Sequence, residues 1–140
     1  MTGQGTPVKR YEVAVQDGEH MVTLEVDHAK LTVATATEVN SFWSNAADRI
    51  AQSGGDVVKA VIRLVGVYAI GEMLRQGGAD FSGSGGSSSV ASDLWSKDLR
   101  AIEGLGGEDG TPFGWCGVRI VEAFVATPSY DDVRLTEVAA

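Results

Sequence analysis

The stretch "DVVKAVIRLVGVYAIGEMLRQGG", Asp56 to Gly78, decides the fold. Asp56 is suited to cap a helix, since its short carboxylate can accept from the first unpaired amides. Gly77-Gly78 supplies the stop. Between them, apolar side chains cover most of the helix circumference, broken mainly by Lys59, Arg63 and Glu72. A helix apolar nearly all round must be covered on more than one side. It is therefore read as the centre of the fold. The alternative is that one stripe of it forms a homodimer contact. The same three charges make the run a poor membrane span.

Upstream, "RYEVAVQDGEHMVTLEVDH" reads as a hairpin. Tyr11, Val13 and Val15 alternate with polar or small residues, as do Val22, Leu24 and Val26. Asp17-Gly18 between them is a strong turn signal, because both residue types tolerate positive φ. Residues 1–8 carry no period and are expected to be a flexible tail. From Thr32, a good N-cap, apolar residues recur at three- and four-residue steps to Ile50. That predicts one helix, or two short ones broken near Ser44-Asn45, ended by Gly54-Gly55.

Downstream lies "FSGSGGSSSV", Phe81 to Val90. A P-loop would need a lysine, and a dinucleotide fingerprint would need a preceding strand; this stretch has neither. Residues 91–140 are too few for a second core, so the stretch is not a domain linker. It is expected to be a mobile insertion within a single domain spanning 9–140. "ASDLWSKDLRAIEG" then predicts a helix, and "WCGVRIVEAFVAT" a central strand, apolar on both faces apart from Arg119 and Glu122. After Pro128-Ser129, "DDVRLTEVA" alternates as a half-exposed partner strand. The order β-β-α-α-α-β-β predicts an α+β domain, with about four antiparallel strands and helices on one face.

The 140 residues carry a net charge of −8 and are 44% hydrophobic. A chain of this length buries roughly 68% of its unfolded surface, enough for a core. The acidic balance argues against direct nucleic-acid binding, which needs Lys and Arg opposite phosphates. One cysteine, Cys116, excludes an internal disulfide and a cysteine-built zinc site. With no secretory leader in "MTGQGTPVKRYEV", a cytoplasmic location is expected.

The residues give no convincing catalytic constellation. His20 and His28 have no metal-ligand spacing, and Asp27-His28 neighbours on a strand point to opposite faces. Cys116 reads as a small buried residue rather than a nucleophile. No catalytic residue, metal or cofactor is expected. The carboxylates Asp80, Glu108, Asp109, Asp131 and Asp132, with Trp115 as an aromatic anchor, are the candidate partner-binding residues.

The stretches "VTLEVDHAKLT", "EVNSFWSNAADRIAQSGGDVVKAVIRL", "LWSKDL" and "GWCGVRIVEAFVATPSYDDVRLTEV" together resemble the DUF2528 family of small bacterial proteins, over about residues 9–138. The resemblance implies no catalytic residues and a setting in bacterial genomes, including phage- and plasmid-like elements. The expectation is a non-enzymatic protein-binding module. Its sharper form is an anti-CRISPR-like inhibitor of a host defence system, docking acidic loops on a basic nucleic-acid-handling protein. The rivals are a small-molecule binder or enzyme with a pocket near Trp95 and Trp115, and a homodimeric structural protein.

Overall fold

The computed structural model describes residues 7–15, 19–82 and 87–139. Strands β1 (Val8–Ala14), β2 (His20–Asp27), β3 (Ala79–Phe81) and β4 (Val118–Val125) form one antiparallel sheet in the order β1-β2-β4-β3. Helices α1 (Val33–Phe42), α2 (Ala46–Gln52) and α3 (Val57–Arg75) precede β3, and α4 (Ser87–Arg100) joins β3 to the segment before β4. The α+β architecture with a four-stranded antiparallel sheet follows the expectation.

The caps sit where the sequence puts them. The Thr32 hydroxyl accepts from Thr35 N, and the Asp56 carboxylate accepts from Val58 N and Lys59 N. The break between α1 and α2 is held by Arg49, whose guanidinium donates to the carbonyls of Asn40, Trp43 and Ser44 at the end of α1. Those carbonyls have no intrahelical partner, so a cation there answers both the hydrogen-bond need and the helix dipole. The buried Asn40 is satisfied as well, donating to Ala46 O and accepting from Arg49 Nε.

Helix α3 is the covered centre. It packs against β1 and β2 of the sheet and against α1, α2 and α4. Val57, Val61, Ile62, Val65, Ile70 and Met73 are all buried. Gly66 sets the approach to the sheet: a Cβ there would lie 2.5 Å from Val13 Cγ1. Most of its apolar circumference is used inside the domain, while Val67 is 61% exposed on its outer side. Cross-strand registry places Val22, Leu24, Val118, Ile120, Ala123 and Val125 on the helix-bearing face. The opposite face is mixed, with Met21 and Phe124 beside Thr23, Glu25, Arg119 and Glu122. There Glu25 bridges Arg10 and Arg119, and Arg119 lies over the Phe113 ring at 5.2 Å.

Two sequence expectations are corrected. The Gly/Ser stretch 81–90 is not one insertion: Phe81 ends β3 and Ser87–Val90 begin α4, while 83–86 lie outside the described residues. Serine is a weak helix former, which hides this start in the sequence. Tertiary bonds favour it: Ser92 donates to Ile120 O, and Ile120 N donates to Ser96 Oγ at 2.9 Å. The two hydroxyls, one helical turn apart, satisfy the edge of β4 beyond the point where three-residue β3 ends. The second correction is at the C-terminus. Residues 131–139 form no strand; Tyr130–Asp132 is a 3-10 turn, followed by exposed irregular chain. The fourth strand is β3 instead. The expected tail 1–8 gives way to β1 at Val8; its residues 1–6, like the Asp17-Gly18 turn, lie outside the described residues.

Candidate functional site

The segment 104–117, between α4 and β4, is drawn together by two cations. Arg100, the last residue of α4, is 4% exposed. Its Nε and Nη2 each donate to the Glu108 carboxylate at 2.9 Å, and Nη1 donates to Pro112 O at 3.0 Å. This two-point fork is the geometry guanidinium favours with carboxylate. The Arg100 bond holds the Glu108 carboxyl below its ordinary range. The chain passes close over the stem of Arg100 at Gly114, where φ is +70° and a Cβ would lie 2.0 Å from Arg100 Cδ.

The second cation is Lys30, just past β2. Its ammonium pairs with Asp109, and it donates to Thr111 Oγ1 at 3.2 Å. Asp109 also accepts from Thr111 N at 3.0 Å and Thr111 Oγ1 at 2.6 Å. Lys30 first, then Thr111, lowers the Asp109 pKa to about 2. Two candidate partner-binding carboxylates are thus occupied inside the molecule.

The same stitching presents Trp115. Its ring lies across Gly106, where φ is +85° and a Cβ would sit 2.1 Å from the ring. Trp115 is 36% exposed and Phe42, on α1, is 50% exposed. With Glu38, Gly104 and Gly106 they line a surface groove of about 320 Å³. Phe42 is braced from beneath: it meets Trp43 edge-on at 4.9 Å, and Trp43 stacks on Tyr68 of α3 at 5.1 Å. Two aromatic walls, a glycine floor and a carboxylate suit a cationic side chain, because an aromatic face and a carboxylate both attract positive charge.

The remaining candidates lie elsewhere. Asp80 is exposed on β3, paired across from the half-exposed Phe124. Asp131 and Asp132 sit on the 3-10 turn, where Asp132 accepts from Ser129 N at 2.8 Å. Asp132 shares a cleft with Glu19 and His20. The six residues therefore fall at the two ends of β4: Glu108, Asp109 and Trp115 before Val118, and Asp80, Asp131 and Asp132 by Val125. At ~3.3 Å per residue, β4 holds these ends roughly 23 Å apart.

Among the described residues no group of three His, Cys, Asp or Glu side chains could hold a metal ion. The Tyr11 hydroxyl and His28 Nε2 share a hydrogen bond of 2.7 Å. Cys116 is fully buried, and that burial pushes its thiol pKa up, the opposite of what a nucleophile needs. Trp95 packs against the core rather than lining the Trp115 groove. No helix among the described residues is long and apolar enough to cross a membrane.

The family model described as a protein of unknown function, DUF2528, matches residues 21–135. The chain belongs to the DUF2528 family. No curated protein and no solved structure matches it. In this DUF2528 chain, sequence reasoning missed Glu38 and Arg100. Glu38 reads as an ordinary exposed helix position, and nothing local pairs it with Trp115. Arg100 had a signal: a helix-final arginine ahead of a glycine-dense loop bearing adjacent carboxylates.

Proposed function

We propose that this chain is a non-enzymatic binding module that grips a basic segment of a protein partner in the groove between Trp115 and Phe42. Glu38 supplies the counter-charge. The observation that carries this reading is the groove itself: two half-exposed aromatic rings and a carboxylate over a glycine floor. Exposed aromatics held rigidly lose little entropy on binding, which favours them as anchors. The net charge of −8 adds a long-range attraction for basic surfaces.

The sharper form of this proposal makes the partner a basic, nucleic-acid-handling protein of a host defence system, reached in the cytoplasm. The acidic balance and the resemblance to proteins of mobile elements support it. Glu108 and Asp109 are tied to Arg100 and Lys30, so the carboxylates left for such a partner are Glu38, Asp80, Asp131 and Asp132.

The test is a fluorescence titration with a lysine- and arginine-rich decapeptide, against a glutamate-rich peptide of equal length. Saturable binding of the basic peptide alone is expected. It should weaken at least ~10-fold, or ~1.4 kcal/mol, in Trp115→Ala and in Glu38→Gln. Glu12→Gln, at an exposed position of β1 outside the groove, should leave it unchanged. Equal binding of the two peptides, or indifference to Trp115→Ala, refutes the groove.

A further inference from the structure

The chain after β4 is exposed throughout, from Ala126 to Ala139. It nevertheless carries large apolar side chains: Tyr130 is 92% exposed, Val133 64%, Leu135 97% and Val138 79%. Scattered apolar residues on a surface are ordinary, but four large ones fall within nine exposed residues here, and Val133 and Leu135 have the spacing of one strand face. Val133-Arg134-Leu135-Thr136-Glu137 has the period of a strand and lacks only an edge to pair with.

The sheet offers one. β1 is a marginal strand whose only partner strand among the described residues is β2. At the other margin β3 has three residues, too few to hold a five-residue strand. β1 has no proline and no bulge from Lys9 to Val13, so it retains the features that let an edge accept another strand. It carries Lys9 and Arg10 against Glu12, whereas the terminal segment carries Asp131, Asp132 and Glu137 against Arg134.

We propose that Val133–Glu137 is an exchange arm, which adds antiparallel to Lys9–Val13 of a second copy and receives that copy's arm in return. One register satisfies every pair. On the helix-bearing face it sets Val133 opposite Val13, Leu135 opposite Tyr11 and Glu137 opposite Lys9. On the other face it sets Arg134 opposite Glu12 and Thr136 opposite Arg10. Sliding by two residues one way puts Leu135 opposite Lys9 and Arg134 opposite Arg10. Sliding by two the other way puts Glu137 opposite Tyr11. Like charges facing across a strand pair are destabilising, and apolar and opposite-charge pairs are favourable, so the first register wins.

A second copy is the occupant because of how the arm departs. Its own β1 margin lies three strand spacings from β4, about 14 Å, within the reach of residues 126–132, yet the arm rests exposed and unpaired with it. The connection is folded up instead, in the 3-10 turn Tyr130–Asp132 closed by the Ser129 capping box. Reciprocal exchange buries two such seams, one on each copy.

The test uses the full chain in sedimentation and light scattering across a concentration series. A dimer is expected, and Leu135→Asp should weaken it at least ~10-fold, since a charge would then face Tyr11. Leu135 is almost fully exposed, so the variant should keep the parent's circular dichroism. A second arm of the test places cysteines at Val13 and Val133 with Cys116→Ser. Directly opposite strand residues lie within disulfide reach. A crosslinked dimer supports exchange. A crosslinked monomer shows that the arm closes on its own β1 and overturns the proposal. A parent that stays monomeric, or a dimer indifferent to Leu135→Asp, overturns it as well.

Discussion

The segments that enter and leave β4 look alike in sequence and behave oppositely in the fold. Residues 104–117 contain Glu108-Asp109 and Trp115; residues 126–139 contain Asp131-Asp132 and Tyr130. Each combines adjacent carboxylates, an aromatic and a proline. The first is bound at Arg100 and Lys30 and places its tryptophan on a groove. The second touches little of its own domain and leaves Tyr130 92% exposed. The difference is not in the segments but in what faces them. A buried guanidinium and a strand-end ammonium face the first. The second leaves β4 beyond the reach of either. A loop's order is thus decided by cations elsewhere in the chain.

Removing the buried cation should have the largest effect. Arg100→Met keeps most of the stem volume and deletes every bond to Glu108 and Pro112. Charge-assisted hydrogen bonds of this kind predict a loss of about 2 kcal/mol. For a chain of this size that is roughly 6–10 °C in melting temperature by calorimetry. Trp115 should lose its seat over Gly106, so its fluorescence should shift toward that of solvated tryptophan. A variant with parental stability and emission would show that the segment is held by glycine turns alone.

Acid should loosen the same end more gently. Asp109 has a folded pKa of about 2, below the ~3.9 of an unfolded aspartate. Its contribution is therefore complete above pH ~4 and fades as pH falls through about 2. Glu108 is shifted in the same direction by Arg100 and adds to the loss. In Lys30→Met the main cause is gone, and the Asp109 carboxyl, followed by NMR, should titrate nearer ~3.9. An unmoved titration would mean that Thr111, not Lys30, sets it.

This contrast also marks what the sequence could carry. The hairpin, the Thr32 and Asp56 caps and the central α3 were legible, because each follows from local chemistry or from a period. The start of α4 was not, since Ser87–Val90 is helical against its own propensity and the bonds of Ser92 and Ser96 to Ile120 are long-range. The alternation of 131–139 was read correctly as a pattern and wrongly as a strand, because a strand also needs to be paired with an edge. Among the candidate site residues, Trp115 stood out by type. Its groove partners Phe42 and Glu38 lie on α1, so only the fold brings them together. Glu108 and Asp109 looked available because their cations, at 100 and 30, are not visible as partners in one dimension.

The smallest effect belongs to the free segment. Leu135→Ser removes a large apolar side chain, which in a core would cost several kcal/mol. Here the side chain is 97% exposed, so nothing within its own domain is lost. In dilute protein the unfolding free energy should change by less than ~0.5 kcal/mol. At high concentration the same substitution should lower the melting temperature, because a dimer stabilises its folded copies by mass action and the weakened arm removes part of that gain. A cost at every concentration would place Leu135 in a contact within its own domain. A null at every concentration would leave the two ends of β4 differing in order alone, with no task for the second. The dependence on concentration thus separates an arm that waits for a partner from a tail that is merely exposed.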